Sequence, residues 1–344
     1  MKLKTAIVGA GRIGTLHAGN VARHPRMELV AIHDPVRGRA EALAQQHGIR
    51  ALASLDEVLR GPAEAVVVAS STDTHAEVAV AVARAGKAIY LEKPIDLDFG
   101  KALRTARELR TTAVPLMIGF NRRFDSVYRA LRQEVRDGAL GRVQLIQMTS
   151  RGPNEAPPRE YIEHSGGIYR DKSIHFFDLM RYLSGRDAVE ISVMGASLTD
   201  PFIAELSDDD TCVMQLRLDD GSLCQIDNNR RAVYGFDERV EILASGGLRE
   251  VGRARTLWSG ADEGGTFGSP FPRGFMHRFE HAFAGAINGF VRLVLDGDRD
   301  VPSIDDGIAA QVLAEAATLA ARERRTVQVG ALLHELETRT ASTL

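Results

Sequence analysis

One stretch of the chain places an imidazole and two carboxylates at helical spacing. Asp171, His175, Asp178 and Tyr182 recur at i, i+4, i+7 and i+11 within residues 168–184. We predict a helix there, with a separate apolar stripe formed by Phe176, Leu179, Met180 and Leu183. Residues four apart share a helix face, so His175 can accept an alcohol proton while Asp171 orients the ring and stabilises its charged form. A solvated surface pair has the same spacing and stays an alternative.

A lysine follows the predicted strand 88–91, in the sequence Glu92-Lys93-Pro94. Strand ends of this kind form the carboxyl edge of a parallel sheet, where ligands bind in open α/β folds. There the ammonium of Lys93 can donate a hydrogen bond to a substrate hydroxyl and stabilise a developing alkoxide, on a turn stiffened by Pro94. The alternative is a surface lysine paired with Glu92.

Three glycines, Gly9, Gly11 and Gly14, fit the dinucleotide-binding fingerprint. The first permits a tight turn, the second lets a pyrophosphate approach the backbone, and the third lets the helix pack close to the strand. The N-terminal amides of that helix then face the phosphates. An ordinary glycine-rich turn is the alternative, but the predicted strand 5–8 and helix 13–23 on either side favour a dinucleotide site.

Asp34 ends the second predicted strand, twenty residues after Gly14. A carboxylate at this point accepts hydrogen bonds from the adenosine ribose hydroxyls and repels the additional phosphate of NADP. The sequence therefore predicts NAD as the cofactor. Arg37 and Arg39 follow closely and can turn toward a phosphate, which keeps NADP as the less favoured alternative.

The first third of the chain alternates short β-branched runs with helical stretches, as in parallel βαβ units. The predicted strands are residues 5–8, 29–33, 65–69, 88–91 and 115–119. The predicted helices are residues 13–23, 37–47, 73–85 and 99–111. They indicate an α/β fold that opens with a doubly wound Rossmann domain, which we place at residues 1–122.

Longer strands with little helix between them follow residue 122. After a helix at 126–137, the predicted strands are residues 143–149, 188–198, 211–218, 222–228 and 239–244. They predict an α+β domain at residues 123–335 with a large mixed, mainly antiparallel sheet, followed by a tail at 336–344. Irregular surface is predicted at 252–272, and helices at 276–295 and 303–324.

The composition, with 44% hydrophobic and 26% charged residues, is that of an ordinary globular protein. A formal net charge of -3 disfavours a nucleic-acid partner, and no run of residues approaches membrane-spanning length. A hairpin turn joining Asp219 to Ser222 would put Cys224 opposite Arg217, with Cys212 on the other face, so that the two cysteines cannot bridge. Unpaired thiols and the absence of a signal peptide predict a cytoplasmic protein, and no metal site is predicted.

Together these residues resemble the Gfo/Idh/MocA oxidoreductases, most closely their inositol dehydrogenase branch. The similarity spans most of the chain and rests on residues 9–14, 71–75, 92–94, 119–125, 166–178 and 226–237. The resemblance implies an NAD-dependent dehydrogenase that oxidises a secondary hydroxyl of a cyclic polyol, myo- or scyllo-inositol, to the ketone. It also implies a homo-oligomer, either a tetramer or a dimer.

The resemblance implies roles for individual residues as well. Lys93, Asp171 and His175 would be the catalytic set, with His175 as the base, Asp171 assisting it and Lys93 binding the reacting hydroxyl. Arg122 and Tyr234 would lie near the substrate with them. The residues implied to bind the cofactor are Gly9, Gly11, Arg12, Ile13, Gly14, Asp34, Ser71, Thr72, His75, Glu92, Lys93 and Asn121.

Two positions depart from the pattern of the inositol branch. Gly152 stands where an acidic or amide side chain usually borders the substrate, so one polar contact is expected to be missing. Ala286 stands where glutamate is common, which puts the packing or the pocket edge there in question. A pyranose or anhydrosugar dehydrogenase of the same family is therefore the nearest alternative. A cofactor-binding sensor without turnover is the second, because a fold does not guarantee chemistry.

Overall fold

The structure, a computed structural model of the 344-residue chain, describes residues 2–152, 158–251, 260–262, 265–267 and 274–342. The chain divides into two compact units. The first comprises Met1–Asp125, His281–Val312 and Leu333–Leu344, and the second comprises Ser126–Glu280 and Leu313–Leu332. Most of the segment predicted as irregular surface, residues 252–272, lies outside the described residues.

A six-stranded parallel sheet forms the centre of the first unit. Its strands are β1 (Leu3–Val8), β2 (Met27–His33), β3 (Arg50–Leu52), β4 (Ala65–Val68), β5 (Ala88–Leu91) and β6 (Leu116–Ile118). Their spatial order is β3-β2-β1-β4-β5-β6, the order of a doubly wound dinucleotide-binding fold. The predicted doubly wound Rossmann fold is therefore confirmed.

Helices connect these strands and bury their apolar sides against the sheet. They are α1 (Arg12–Arg23), α2 (Arg37–His47), α3 (Leu55–Arg60), α4 (His75–Arg84) and α5 (Phe99–Arg110), with 3₁₀ turns at Thr72–Thr74 and Asn121–Phe124. Strand β4, which reads Ala-Val-Val-Val, is buried at every position, as expected for a parallel sheet covered on both faces. The sequence pattern did not predict β3 and α3, because three and six residues are too few to show a periodicity.

A seven-stranded sheet forms the centre of the second unit. Its strands are β7 (Val143–Arg151), β8 (Ala188–Ala196), β9 (Thr211–Leu218), β10 (Leu223–Asn229), β11 (Asp237–Ala244), β12 (Gly247–Val251) and β15 (Val327–Gln328), and a separate hairpin pairs β13 (Gly260–Asp262) with β14 (Gly265–Phe267). The spatial order is β12-β11-β7-β10-β9-β8-β15. Within the described strands, β10 pairs with β7 in parallel and the other neighbours pair antiparallel. The predicted mixed, mainly antiparallel sheet is confirmed.

The remaining helices are α6 (Ser126–Arg136), α7 (Arg159–His164), α8 (Ile174–Ser184), α9 (Pro201–Glu205), α10 (Phe275–Arg278), α11 (Glu280–Asp296), α12 (Ile304–Glu323) and α13 (Val329–Ala341). The helix expected at 276–295 is interrupted at Phe279, which is fully buried in a non-helical conformation. Residues 336–341, which the sequence pattern places in a tail, continue α13, where Thr340 is buried. No helix in the described part of the chain is long and apolar enough to cross a bilayer.

The hairpin of β9 and β10 is one residue out of the predicted register. Leu218 bonds across the turn to Ser222, so three residues form the turn and Cys224 lies opposite Leu216. Cys212 and Cys224 therefore both point to the buried face, whereas opposite faces were expected. They are unpaired, as predicted, and burial raises the pKa of both thiols, that of Cys212 to about 12.

Candidate active site

The carboxyl edge of the parallel sheet gathers the predicted cofactor residues of the first unit. Gly9 follows β1 and donates its N–H to the carbonyl of His33, the last residue of β2. Glu92 follows β5 and donates its N–H to the carbonyl of Val68, the last residue of β4. The strand order reverses between β1 and β4, and ligands bind at such switch points in open α/β sheets.

The turn from β1 into α1 suits a ligand phosphate. Gly9 has a φ of 102°, and a Cβ there would overlap the Ala69 backbone, so only glycine fits. Gly11 is the N-cap of α1, and apart from its chain neighbours no described residue has a heavy atom within 4 Å of the place that its Cβ would take. The helix then begins with the predicted residues Arg12, Ile13 and Gly14. Amide groups that face open space at a helix N-terminus bind anions.

Asp34 lies directly after β2, with both carboxylate oxygens oriented by the backbone. Its Oδ2 accepts from the N–H of Ala10 at 2.7 Å, and its Oδ1 accepts from the N–H of Val36 at 2.8 Å. Each oxygen keeps a further lone pair for a ribose hydroxyl. Arg37, the candidate for an NADP phosphate, instead pairs with Glu41 at 2.7 Å on the surface of α2. The geometry suits NAD.

Glu92 is not the surface partner of a lysine but a buried residue in contact with α1. Its Oε1 lies 2.8 Å from Nε2 of His17, whose ring is fully buried. Tyr90 packs edge-on against that ring, with the centroids 4.9 Å apart. A Cβ at Gly119 would lie 2.9 Å from the Glu92 carboxyl carbon, so the glycine leaves room for the carboxylate. The buried hydrogen bond between Glu92 and His17 thus anchors the turn that carries Lys93.

His75 joins two of the loops that carry predicted site residues. It is buried at the start of α4, and its Nδ1 and Nε2 lie 2.8 Å from Pro94 O and 3.1 Å from Ser70 O. Burial lowers the pKa of His75. Both ring nitrogens of His75 are therefore occupied by backbone carbonyl oxygens.

The other predicted residues of this region differ in their exposure. Lys93 is half-buried beside the cis peptide to Pro94. Ser71 is exposed, and Thr72 is half-buried.

Asn121 and Arg122 lie in the 3₁₀ turn after β6, and both are buried. The Nδ2 of Asn121 has no hydrogen-bond partner among the described residues. A buried amide nitrogen normally finds an acceptor, and a bound cofactor would supply one. With the glycine turn and Asp34, this group fits a dinucleotide.

The helix that bears Asp171 and His175 differs from the continuous α-helix predicted over residues 168–184. It opens with a π-helical turn over Tyr169–Ser173 and becomes regular only in α8. Such turns are rare and are frequent at functional sites. The predicted stripe is buried, but Asp178, expected on the face of His175, is fully buried too. Between residues 173 and 180, His175 is the one side chain that keeps partial exposure.

Both oxygens of Asp171 are held by side chains that the sequence analysis did not identify. Oδ1 accepts from the hydroxyl of Tyr161 at 2.7 Å, and Oδ2 accepts from Nη1 of Arg230 at 3.1 Å. Arg230 is 59 positions away along the chain and belongs to an unremarkable Arg-Arg pair, so no local signal marks it. The carboxylate before His175 is thus oriented, unlike that of a solvated helix pair.

Tyr234 lies in the segment between β10 and β11, with 43% of its surface exposed. Its hydroxyl accepts from Arg151 at 3.2 Å and donates to Asp237 at 3.0 Å. Burial raises the pKa of Tyr234, so the hydroxyl stays protonated at neutral pH.

Lys172, on the apolar side of its helix, has its ammonium 5.8 Å from the centroid of the Phe236 ring.

The backbone near position 152 leaves no room for a side chain, so this residue must be glycine. A Cβ there would overlap the carbonyl of Arg230, while the N–H and carbonyl of Gly152 bond to Asn229 and Ala232. We expect Gly152→Ala to lower the free energy of unfolding by roughly 1–3 kcal/mol, because the strand cannot yield without breaking these bonds. Urea denaturation measures the loss.

Gly38 offers the matched control, since beyond its own neighbours on α2 no described residue has a heavy atom within 4 Å of its Cβ position. Gly38→Ala should leave stability unchanged or raise it. Equal losses in the two variants would show that the close approach at Gly152 is unimportant. The polar side chain missing at this position cannot be restored without moving the backbone of Arg230.

Ala286, the second departure, is fully buried on α11 in the apolar core of the first unit. Its neighbours in that core include Ile287 and Phe290. A glutamate there would bury a carboxylate among apolar side chains, at a large cost. The alanine is therefore a packing residue.

Two family models match the chain. A model of an oxidoreductase family with an NAD-binding Rossmann fold matches residues 3–120. A model of the GFO/IDH/MocA C-terminal domain matches residues 128–248.

Individual proteins are similar over nearly the whole length. The inositol 2-dehydrogenase of Rhizobium meliloti (strain 1021) is 38% identical over 332 residues, 96% of this chain and 100% of that protein. The crystal structure of a myo-inositol dehydrogenase from Corynebacterium glutamicum has a TM-score of 0.90 at 35% identity, over 95% of this chain and 99% of that one. The scyllo-inositol dehydrogenase of Lactobacillus casei, crystallised with NAD(H) and scyllo-inositol, has a TM-score of 0.88 at 25% identity, over 96% of this chain and 100% of that one.

Proposed function

The chain belongs to the Gfo/Idh/MocA family of NAD-binding oxidoreductases, and on that premise we propose that it oxidises a secondary hydroxyl of myo- or scyllo-inositol to the ketone. The inositol dehydrogenases to which it is similar support this substrate class. The observation that carries the proposal is the accessibility of His175, in an otherwise buried run, one turn after a carboxylate held at both oxygens.

His175 accepts the hydroxyl proton as the C–O bond becomes a carbonyl. Asp171, one turn earlier, stabilises the imidazolium that forms. Lys93 donates a hydrogen bond to the reacting oxygen and lowers the energy of its developing negative charge. NAD, when bound, accepts the hydride from the same carbon. Arg122 and Tyr234 bind further hydroxyls of the ring.

The cofactor is held by the carboxyl edge of the first unit. The N-terminal amides of α1 after Gly9 and Gly11 bind the diphosphate, and Asp34 binds the adenosine ribose. Asn121 donates its buried amide to the cofactor. The remaining contacts are proposed for Arg12, Ile13, Gly14, Ser71, Thr72, His75, Glu92 and Lys93.

Neutralising Asp34 should weaken the preference for NAD over NADP. In Asp34→Asn the repulsion of the additional phosphate is lost, so the ratio of kcat/KM for NAD to that for NADP should fall about 10- to 100-fold. Asp56→Asn is the matched control, because it removes one negative charge from an exposed carboxylate of α3. If both variants kept the wild-type ratio, Asp34 would not be the residue that selects NAD.

The function is tested by NADH formation when the purified protein is given NAD with myo-inositol, scyllo-inositol and a set of pyranoses in turn. Turnover of an inositol supports the proposal. Turnover of pyranoses alone would reject the substrate class while leaving the reaction type intact. NAD binding without turnover of any polyol or sugar would reject the enzyme in favour of a sensor.

We also propose a homo-oligomer, a tetramer or a dimer, located in the cytoplasm. The open face of the seven-stranded sheet leaves Met194, Val213, Leu223 and Leu243 exposed, which supports burial against another copy. The unpaired thiols Cys212 and Cys224 suit a reducing compartment. Light scattering during gel filtration reports the assembly, and a monomer would contradict the first of these proposals.

A further inference from the structure

A single buried guanidinium lies between two carboxylates in the second unit. The side chain of Arg230 is 3% exposed, and its Nη1 and Nη2 lie 3.1 Å from Asp171 Oδ2 and 3.2 Å from Asp208 Oδ2. Both carboxylates are themselves largely buried, at 15% and 11% exposure. Buried charges in such an arrangement depend on each other, because removing one leaves the others unpaired.

Both ends of this cluster are attached to the helix that carries His175. Asp208 Oδ1 accepts from the N–H of Ile168, the residue before the π-helical turn, at 2.9 Å. Asp171 lies within that turn. The backbone of Arg230 is also fixed, since its N–H donates to the carbonyl of Asp210 at 2.7 Å. Arg230 thereby joins the end of β10 to two points on the helix.

We propose that Arg230 is a positioning residue for the reaction, which keeps Asp171 ionised and oriented so that Asp171 can support the charge on His175. The inference rests on the proposed function of these two residues. Arg230 itself transfers no proton. Burial would lower the pKa of its guanidinium, but Asp171 and Asp208 raise it, so the charge persists at every working pH.

Several titratable groups face Asp171 from the elements around it. Tyr161 contributes its hydroxyl from α7 and Arg230 its guanidinium from the end of β10. Asp208 lies across that guanidinium. On the same helix, Arg170 directly precedes Asp171 and His175 follows it. The charge of Arg170 is paired with Glu315 of α12. Without the guanidinium, the negative charges of Asp171 and Asp208 are no longer balanced. They then favour the protonated imidazole of His175, so the base becomes available only at higher pH.

The test compares Arg230→Gln with Arg231→Gln in the same assay. Arg231 is the matched control, because it is the adjacent arginine and pairs with Asp200. We expect Arg230→Gln to lower kcat roughly 10- to 100-fold with little change in the KM for NAD, and to move the acid limb of the pH profile up by about one unit. Arg231→Gln should retain the wild-type profile.

Two further variants separate charge from structure. Arg230→Lys keeps the positive charge and should recover part of kcat. Adding Asp208→Asn to Arg230→Gln removes the second carboxylate, while the amide oxygen can still accept from Ile168, so the acid limb should return toward the wild-type position. A loss of kcat with an unmoved limb and no recovery in either variant would overturn the proposal in favour of a purely structural role.

Unfolding measurements keep the inference testable apart from the proposed function. In a cycle of Arg230→Gln, Asp171→Asn and the double variant, we expect the second substitution to cost little stability once the first is made. Additive losses would overturn the inference even if inositol is oxidised. Coupled losses of unfolding free energy, without turnover of any inositol, would reject the proposed function and still support the ion pair between Arg230 and Asp171.

Discussion

Replacing His175 with alanine should lower inositol turnover about 10²- to 10⁴-fold, the range that a positioned general base contributes. The expectation follows from the accessibility of His175 among buried neighbours and from the oriented carboxylate of Asp171. The residues proposed to bind the cofactor belong to the first unit and do not include His175, so NADH binding should be unchanged. Single-turnover NADH formation measures the rate, and fluorescence titration measures NADH binding.

His164 supplies the matched control, since it is an exposed histidine at the end of α7. His164→Ala should keep both turnover and binding. The acid limb of the wild-type profile should disappear in His175→Ala, because no imidazole remains to titrate. Wild-type turnover in His175→Ala would remove this residue from the role of base.

Replacing Lys93 with methionine should lower kcat/KM for the inositol about 10²- to 10³-fold, comparable with losing one donor to a developing oxyanion. Methionine preserves most of the stem of the side chain and removes the ammonium. The turn beneath it should stay in place, because Glu92 is bonded to His17 and Pro94 to His75. Initial rates at low inositol concentration report the loss.

Lys4→Met, at an exposed position near the start of β1, controls for the loss of one positive charge and should change nothing in the assay. Lys93→Arg should recover only part of the rate, because a planar guanidinium cannot place a donor where an ammonium does. If Lys93→Met raised KM alone and left kcat intact, the lysine would bind substrate without stabilising the transition state.

Local patterns carried much of the fold prediction. The alternation of β-branched runs and helices predicted five of the six parallel strands, because each lies in a short apolar run between helical stretches. The glycine turn and Asp34 were predictable for the same reason, since each follows a recognisable strand. The carboxyl-edge position of Lys93 followed from strand direction alone.

Contacts between positions far apart in the sequence could not be predicted from local patterns. His17 meets Glu92 across 75 positions and Arg230 meets Asp171 across 59, and neither pair has a local spacing. The register of the β9 and β10 hairpin depended on one residue in its turn, which decides the face of every side chain beyond it. The π-helical turn before α8 likewise leaves the apolar stripe unchanged, so periodicity cannot detect it.

The sequence by itself predicted a doubly wound Rossmann fold, the carboxyl edge where a cofactor would bind and a set of residues whose types suit the chemistry, because these depend on neighbours along the chain. Only the tertiary structure decided which of those groups are oriented, and by what. Asp171 is held by Tyr161 and Arg230, and Gly152 is required by the Arg230 carbonyl. Burial and pairing of charges depend on chain segments that meet only in the folded protein.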